Sequence, residues 1–264
     1  MSYSSPAEIA VLFADASKAK ANTSFFKFML LAVMGGIFIA LGGLLTVIVA
    51  GGMPADAISS PGLVKFIAGA LFPVGLIMVS VAGADLFTSD CAGMTLSCMQ
   101  KKTTLIQLLK VWCLAYLFNF VGAQFVAYIL AHKTGIIAGQ PYSDYLNTLT
   151  LGKLTKPWDV VFYKAIGANM LVCLGTWMGY AGKDIFSKAL GIWVPVMIFV
   201  TLGYEHSIAN MFFIPAAIYN GANITWSAFI TSNLIPATIG NIIGGAVFIG
   251  LIYGYLYNPT KKQD

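Results

Sequence analysis

Glu205, His206 and Asn210 stand together in the middle of an otherwise apolar stretch, with Gly203-Tyr204 just ahead of them and Ser207 between. A carboxylate, an imidazole and an amide this close can bind a small polar solute, orient it and exchange a proton. Histidine is the side chain whose unperturbed pKa lies nearest neutrality. The run before the group, Ala189 to Leu202, is apolar, and so is the run after it, Met211 to Ile218. An ionisable cluster at membrane depth is costly unless it faces a cavity or a bundle interior, so it marks a pathway. A buried histidine satisfied by its neighbours is the competing reading. A second polar cluster, Asp85-Leu86-Phe87-Thr88-Ser89-Asp90, interrupts an earlier apolar run. Two carboxylates and two hydroxyls there predict a broken helix, whose irregular backbone is tolerated in lipid only where it lines a cavity.

The elements that must hold these clusters follow from composition. Of 264 residues, 58% are hydrophobic and 9% charged, with a mean hydropathy of +0.82. Soluble domains carry about 25% charged residues. Apolar runs of about 20 residues recur, the length that crosses a bilayer. The chain therefore reads as an all-α polytopic membrane protein of one domain. Every basic residue is lysine, and the net charge of +5 is spread over loops and helix ends. That pattern sets topology and attracts anions weakly; it does not suit nucleic acid. Cys91, Cys98, Cys113 and Cys173 all sit in apolar context and read as buried thiols without a disulfide. The Cys91 to Cys98 spacing is wrong for zinc, and no cofactor is implied. The first twenty residues lack the apolar core of a signal peptide.

Ser5-Pro6-Ala7-Glu8 is a capping box with proline at the first helical position. It opens a short amphipathic helix with Ile9, Leu12, Phe13 and Ala16 on one face, lying on the membrane or plugging the cytoplasmic mouth. Six spans follow: Phe25 to Ala50; Val64 to Met99, broken after Gly83; Leu105 to Ala131; Val160 to Tyr180; Ala189 to Ile218, broken at Glu205-His206; and Trp226 to Tyr257. Gly51-Gly52, Pro54 and Pro61 mark the first loop, and the polar stretch from His132 to Pro157 reads as the longest one. Residues 1–24 form the N-terminal segment and 258–264 a tail ending in Lys261-Lys262. Six spans put both termini on one side, where ten of the lysines gather against five on the other, which makes the terminal side cytoplasmic.

The halves echo each other. Phe72-Pro73-Val74 leads to Gly83-Ala84-Asp85, and Val194-Pro195-Val196 leads to Gly203-Tyr204-Glu205. Asn119-Phe120-Val121-Gly122-Ala123 matches Asn241-Ile242-Ile243-Gly244-Gly245. Residues 25–132 and 158–257 thus form two three-span repeats. An odd number of spans forces the copies to be inverted, with a midplane site at their interface.

Gly83-Ala84-Asp85-Leu86-Phe87-Thr88-Ser89 and Glu205-His206-Ser207-Ile208-Ala209-Asn210-Met211 resemble the two helix breaks of the formate/nitrite transporter family. Ala168-Asn169-Met170-Leu171-Val172-Cys173-Leu174 resembles its fourth span. Asn233-Leu234-Ile235-Pro236 with Gly240-Asn241-Ile242-Ile243-Gly244-Gly245 resembles its sixth. The resemblance covers nearly the whole chain. It implies an aquaporin-like six-helix bundle of two inverted repeats, assembled as a homopentamer with one pore per subunit, conducting small weak-acid anions across a cell (plasma or inner) membrane. It places the central histidine at His206, the selectivity threonine at Thr88 and the lysine before the fourth span at Lys153, with Glu205, Asn169 and Asn210 around the histidine. It places apolar constrictions at Leu76, Leu86 and Phe87 toward the cytoplasm and at Phe72 and Phe199 toward the outside. Asp90 departs from the pattern, adding a negative charge where anions pass.

A bare anion between such apolar rings loses hydration worth tens of kcal/mol on an idealised Born scale. Protonating an acid of pKa about 4 at pH 7 costs roughly 4 kcal/mol. The neutral form is thus the one expected to cross, with Lys153 gathering the anion, Thr88 hydrogen-bonding it and His206 supplying a proton or stabilising its charge. Lys153 as a solvated loop lysine, Thr88 as a helix cap and Phe199 as core packing are the rival readings. Formate, nitrite and hydrosulfide all fit, the sixth-span match favouring formate. Channel and proton symporter are not separable from the sequence. A neutral-solute channel of the aquaporin type shares the two broken helices, but Met53-Pro54-Ala55 is the nearest approach to its paired Asn-Pro-Ala turns. An intramembrane enzyme lacks its metal cluster or its nucleophile and base.

Overall fold

A computed structural model describes residues 3–53 and 60–257. Pro54 of the first loop and the tail lysines Lys261 and Lys262 lie outside the described residues. Among the described residues, ten helical stretches follow in order. Ser5 caps α1 (Pro6–Ala21) through the predicted box, its Oγ accepting from Glu8 N–H while the Glu8 carboxylate accepts from Ser5 N–H at 2.7 Å. Then come α2 (Phe25–Gly51), α3 (Gly62–Ala82), α4 (Phe87–Met99), α5 (Leu105–Lys133) and α6 (Tyr142–Leu154). The second half supplies α7 (Trp158–Ala181), α8 (Ile185–Thr201), α9 (Ser207–Tyr219) and α10 (Trp226–Leu256). The helices α2, α3, α5, α7 and α10 are each long and apolar enough to cross a membrane. The broken second span is α3 with α4, and the broken fifth is α8 with α9.

Both breaks have the same local cause. Gly83 and Gly203 stop α3 and α8 in the left-handed region, at φ 81° and 66°, where a side chain would be strained. Leu86 and His206 are extended, and α4 and α9 begin at the next residue. The first gap is thus short, and Thr88, Ser89 and Asp90 lie in the first turn of α4. Leu86 holds the N-cap position, so Thr88 is not the cap.

The inverted repeat is written in the amides. Asn119 Oδ1 accepts from Phe87 N–H at 2.9 Å, while its Nδ2 donates to the carbonyls of Asp85 (2.9 Å) and Ala32 (2.6 Å). Asn241 Oδ1 accepts from Ser207 N–H at 2.8 Å, while its Nδ2 donates to Glu205 (3.0 Å) and Ala165 (2.8 Å). Each asparagine sits on the last span of its repeat, satisfies groups freed at the break, and pins the break to the first span. Three residues on, Gly122 lies against the Val33 carbonyl of α2 and Gly244 against Ile166 of α7, with no room for a Cβ in either place.

Three expectations are corrected. The stretch predicted as a polar loop holds α6, because Tyr142, Tyr145, Leu146, Leu149 and Lys153 recur at helical spacing and turn inward. The buried face of α1 is Ile9, Ala10, Phe13, Ala14 and Ser17, while Leu12 is exposed. Small residues win there because α1 packs on Ala92, Gly93 and Leu96 of α4 rather than against lipid. Cys113 is exposed on α5 and Cys98 half-buried, whereas Cys91 and Cys173 are buried; all four are free thiols. The outward face of an apolar membrane span meets apolar surroundings, which suit a thiol as well as a core does.

The helix α1 shares one face of the bundle with two turns. Gln100 Nε2 donates to Ala10 O at 3.0 Å, Lys102 pairs with Asp15 at 2.5 Å, and Ser4 N–H donates to Ala181 O at 3.0 Å. The end of α10 reaches the same face, where Tyr257 and Trp177 rings lie 6.0 Å apart. The helix α6 lies at the other end of α2, with Tyr145 against Gly51.

Candidate functional site

His206 is positioned by backbone before it meets anything else. As N-cap of α9, its Nδ1 accepts from Ala209 N–H at 3.1 Å, one of the donors a helix start leaves without a partner. A neutral ring that accepts at Nδ1 carries its proton on Nε2. That nitrogen lies 2.9 Å from Thr88 Oγ1, so Nε2–H donates and the threonine hydroxyl is left to donate elsewhere. Phe199 stacks on the ring at 5.8 Å between centroids. The two helix breaks therefore meet at one bond, His206 to Thr88, across 118 residues of chain. Asn169 fastens the arrangement from behind. Its Nδ2 donates to the carbonyls of Thr88 (3.1 Å) and Asn241 (2.6 Å), and Cys173 Sγ donates to the Thr88 carbonyl at 3.1 Å.

Two spaces border the ring. On the α6 side a cavity of about 640 Å³ reaches down to it, lined by Lys65, Phe72, Asp144, Lys153, Phe199 and Asn210 among others. Beyond it runs a seam with no room for a water molecule, lined by Ile39, Phe72, Leu76, Leu86, Val172, Val196, Phe199 and His206. Phe72 and Phe199 border both spaces, edge to face at 5.9 Å. His206 is thus the polar group at the boundary between an ionic cavity and a dry, apolar slot.

The cavity's charge is concentrated beside the ring. Glu205 is buried, and Oε2 accepts from Lys153 Nζ at 3.0 Å and Asn210 Nδ2 at 2.9 Å. Oε1 has Lys156 Nζ at 3.4 Å, an ion pair without hydrogen-bond alignment. Asn233 closes the cluster, its Oδ1 accepting from Asn210 Nδ2 at 2.7 Å. Lys156, between α6 and α7, has its pKa lowered by burial; Glu205 opposes that shift, and Lys153 and Lys164 add to it. On the opposite face Asp85 and Asp90 are buried and share one counter-charge, Lys20 of α1, at 3.1 and 2.6 Å.

The sequence profile described as formate/nitrite transporter matches residues 7–255. The chain belongs to that family. Its relatives include a "Probable formate transporter" of Methanothermobacter thermautotrophicus, 43% identical over 97% of this chain and 98% of that protein. Among solved structures, one described as an FNT family ion channel superposes with a TM-score of 0.84 at 28% identity, covering 94% of this chain and 97% of that one. A pentameric formate channel with formate bound superposes with a TM-score of 0.75 at 31% identity, over 89% of this chain and 98% of that one. The aquaporin-like helical membrane fold that the resemblance implied is the fold of this family member, and it is a multi-pass membrane protein.

Against this family frame the predicted residues divide into groups. His206, Thr88, Phe72, Leu76, Leu86 and Phe199 come together at the ring and seam. Lys153, Glu205 and Asn210 form the adjoining ionic cluster, and Lys153 is buried there rather than solvated. Asn169 is one step back, holding backbone rather than the ring. Phe87 does not join them: its ring packs on Tyr116 at 4.9 Å and Trp112 at 6.5 Å, because the first residue of α4 turns toward α5. Asp90 likewise faces α1 and not the seam. Sequence reasoning passed over Asn233, Lys156, and the bracket roles of Asn119 and Asn241. The matched Asn119 and Asn241 motifs carried the last signal, since an amide recurring at one repeat position has two groups to satisfy in each copy.

Proposed function

We propose that this chain forms a membrane channel for small monovalent weak-acid anions, formate foremost, in which His206 assists protonation between apolar constrictions. Each chain is one channel domain; five assemble with a pore in every subunit, and both termini face the cytoplasm. The observation that carries the reading is the position of His206, bordering a lysine-bearing cavity on one side and a seam too narrow for water on the other. The bound formate and pentameric state of the similar solved channel support substrate and assembly. The lysine bias supports the orientation.

Lys153 draws the anion into the cavity. At the ring the anion accepts from the Thr88 hydroxyl, which the donating Nε2–H of His206 polarises. Crossing the seam as an ion forfeits hydration worth tens of kcal/mol on an idealised scale, whereas protonation costs roughly 4 kcal/mol at pH 7. A neutral imidazole cannot simply give up Nε2–H, since imidazolate would remain. Transfer proceeds with exchange: a hydronium ion relayed through the cavity water gives its proton to Nδ1 as the Ala209 bond opens, leaving neutral water, and the Nε2 proton moves to Thr88 Oγ1. The threonine proton then moves to the anion. The ring ends neutral with its proton on Nδ1, and it resets by giving that proton to cavity water while Nε2 takes one back through the Thr88 hydroxyl, which water reprotonates. The neutral acid passes as Phe72, Leu76, Leu86 and Phe199 part.

Initial fluxes of formate, nitrite and hydrosulfide into proteoliposomes test the substrate, with formate expected to be fastest. For the relay, His206→Asn should abolish the pH dependence of formate uptake. A variant with the wild-type pH profile would rule the relay out.

A further inference from the structure

We infer that Lys156, through Glu205, gives the mouth on the α6 face its surplus positive charge and so determines how strongly anions are gathered above His206. The inference rests on the anion-channel reading. Lys153 alone does not supply that surplus. Its ammonium is 3.0 Å from a carboxylate that is buried and ionised in a pair, and an anion approaching such a pair meets as much negative charge as positive. Farther out, Lys65 and Asp144 both line the cavity and oppose each other in sign.

Lys156 changes that balance. It reaches the other oxygen of the same carboxylate, so two ammonium groups share one negative charge. The Lys156 Nζ also donates to the Gly152 carbonyl at the end of α6, which anchors it. With Glu205 drawn partly toward Lys156, Lys153 keeps charge to offer the cavity, where its Nζ stands 5.8 Å from the Phe213 ring centre. The Lys156 side chain is about one quarter exposed, so its field is screened less than that of a solvated lysine and is focused by apolar walls. Lys164 is the natural comparison. It stands at the same mouth, but its Nζ donates to the Gly203 carbonyl from an exposed site. Lys156 touches neither ring nor seam; it is a positioning residue acting on Glu205 and Lys153.

The test compares Lys156→Gln, Lys156→Arg and Lys164→Gln in proteoliposomes of both orientations, reading KM and maximal rate for formate at low and high ionic strength. Lys156→Gln should raise KM about tenfold at low salt, the lower end of what a focused charge does for local substrate concentration, with the maximal rate retained. High salt should shrink the difference. Lys156→Arg should restore wild-type KM, and Lys164→Gln should move it less than twofold. A Lys156→Gln KM equal to wild type, or a fall in maximal rate alone, would overturn the inference. If the glutamine variant does not insert, Lys156→His takes its place. Its KM should rise relative to wild type as pH passes upward through about 6.5, where an unperturbed histidine loses its charge. A ratio independent of pH would count against the inference. Absence of formate flux in the wild type would instead defeat the anion-channel reading.

Discussion

Replacing Asn241 by alanine tests the carpentry on which the ring depends. The change removes bonds of 2.8 Å to Ser207 N–H, 2.8 Å to Ala165 O and 3.0 Å to Glu205 O, all buried. An orphaned buried N–H costs about 1–3 kcal/mol, and a net hydrogen bond contributes about 1 kcal/mol, so the sum is about 3–5 kcal/mol. For a chain of this size, at about 2–4 °C per kcal/mol, Tm should fall by roughly 10 °C. Ser207 follows His206, so the freed break shifts the ring, and a displacement of about 1 Å in a positioned group can cost about 10²-fold in rate. The repeat makes the demand stricter. Asn119→Ala loses three bonds of 2.9, 2.6 and 2.9 Å at the mirror position and should destabilise within about 1 kcal/mol of Asn241→Ala. It should spare more of the flux, because its break carries Thr88 rather than the histidine. Asn220→Ala is the control, since its Nδ2 bonds the Ala216 carbonyl within a helix end. Thermal unfolding followed by size-exclusion chromatography in detergent, with formate uptake from the same preparations, reads both effects. If Asn241→Ala melts within a few degrees of Asn220→Ala, the bracket is ornamental and the reasoning fails.

Other perturbations reach the remaining parts. Lys20→Met leaves Asp85 and Asp90 buried without their cation, a loss of about 3–5 kcal/mol that should release α1, and Asp90→Asn in the same chain should recover part of it. Hydrogen exchange of α1 amides measures this. Burial works against the Lys20 charge, but the two aspartates outweigh it and raise its pKa. A raised folded pKa keeps its stabilisation whole below the ordinary lysine value and loses it only above, so α1 protection should hold across neutral pH and into mild alkali. Gly244→Ala and Gly122→Ala each push a methyl into a backbone carbonyl of the facing helix and should cost about 1–3 kcal/mol or more; a melting point unchanged in both would deny the close crossings. Phe199→Ala opens the seam and removes the ring stacked on His206, so water permeability should rise while the pH dependence of formate uptake weakens, read by stopped-flow light scattering beside formate flux.

Much of the fold was legible in the chain because its signals are local. A glycine before an acid, after a proline-led apolar run, predicts a helix break wherever it occurs, and Gly83 and Gly203 take the left-handed backbone that only their lack of a Cβ permits cheaply. The repeat was legible for the same reason, and so was the Ser5 to Glu8 cap. The helix α6 escaped because its inward stripe, Tyr142, Tyr145, Leu146 and Leu149, is short and diluted by threonines, so polarity masked periodicity.

By itself, then, the sequence determined six spans, two inverted breaks, a membrane setting and a histidine at their centre, since hydropathy and backbone freedom are properties of residues and their neighbours. Only the tertiary structure decided which charges meet. Glu205 is ion-paired with Lys153 and Lys156, and Asp90 with Lys20, across separations no pattern spans. It also decided that Phe87 turns to α5, and that His206 spends Nδ1 on Ala209 and so offers Thr88 a proton. Pairing and ring orientation depend on distance in space, and that is created when two helix ends from opposite halves of the chain are packed against each other.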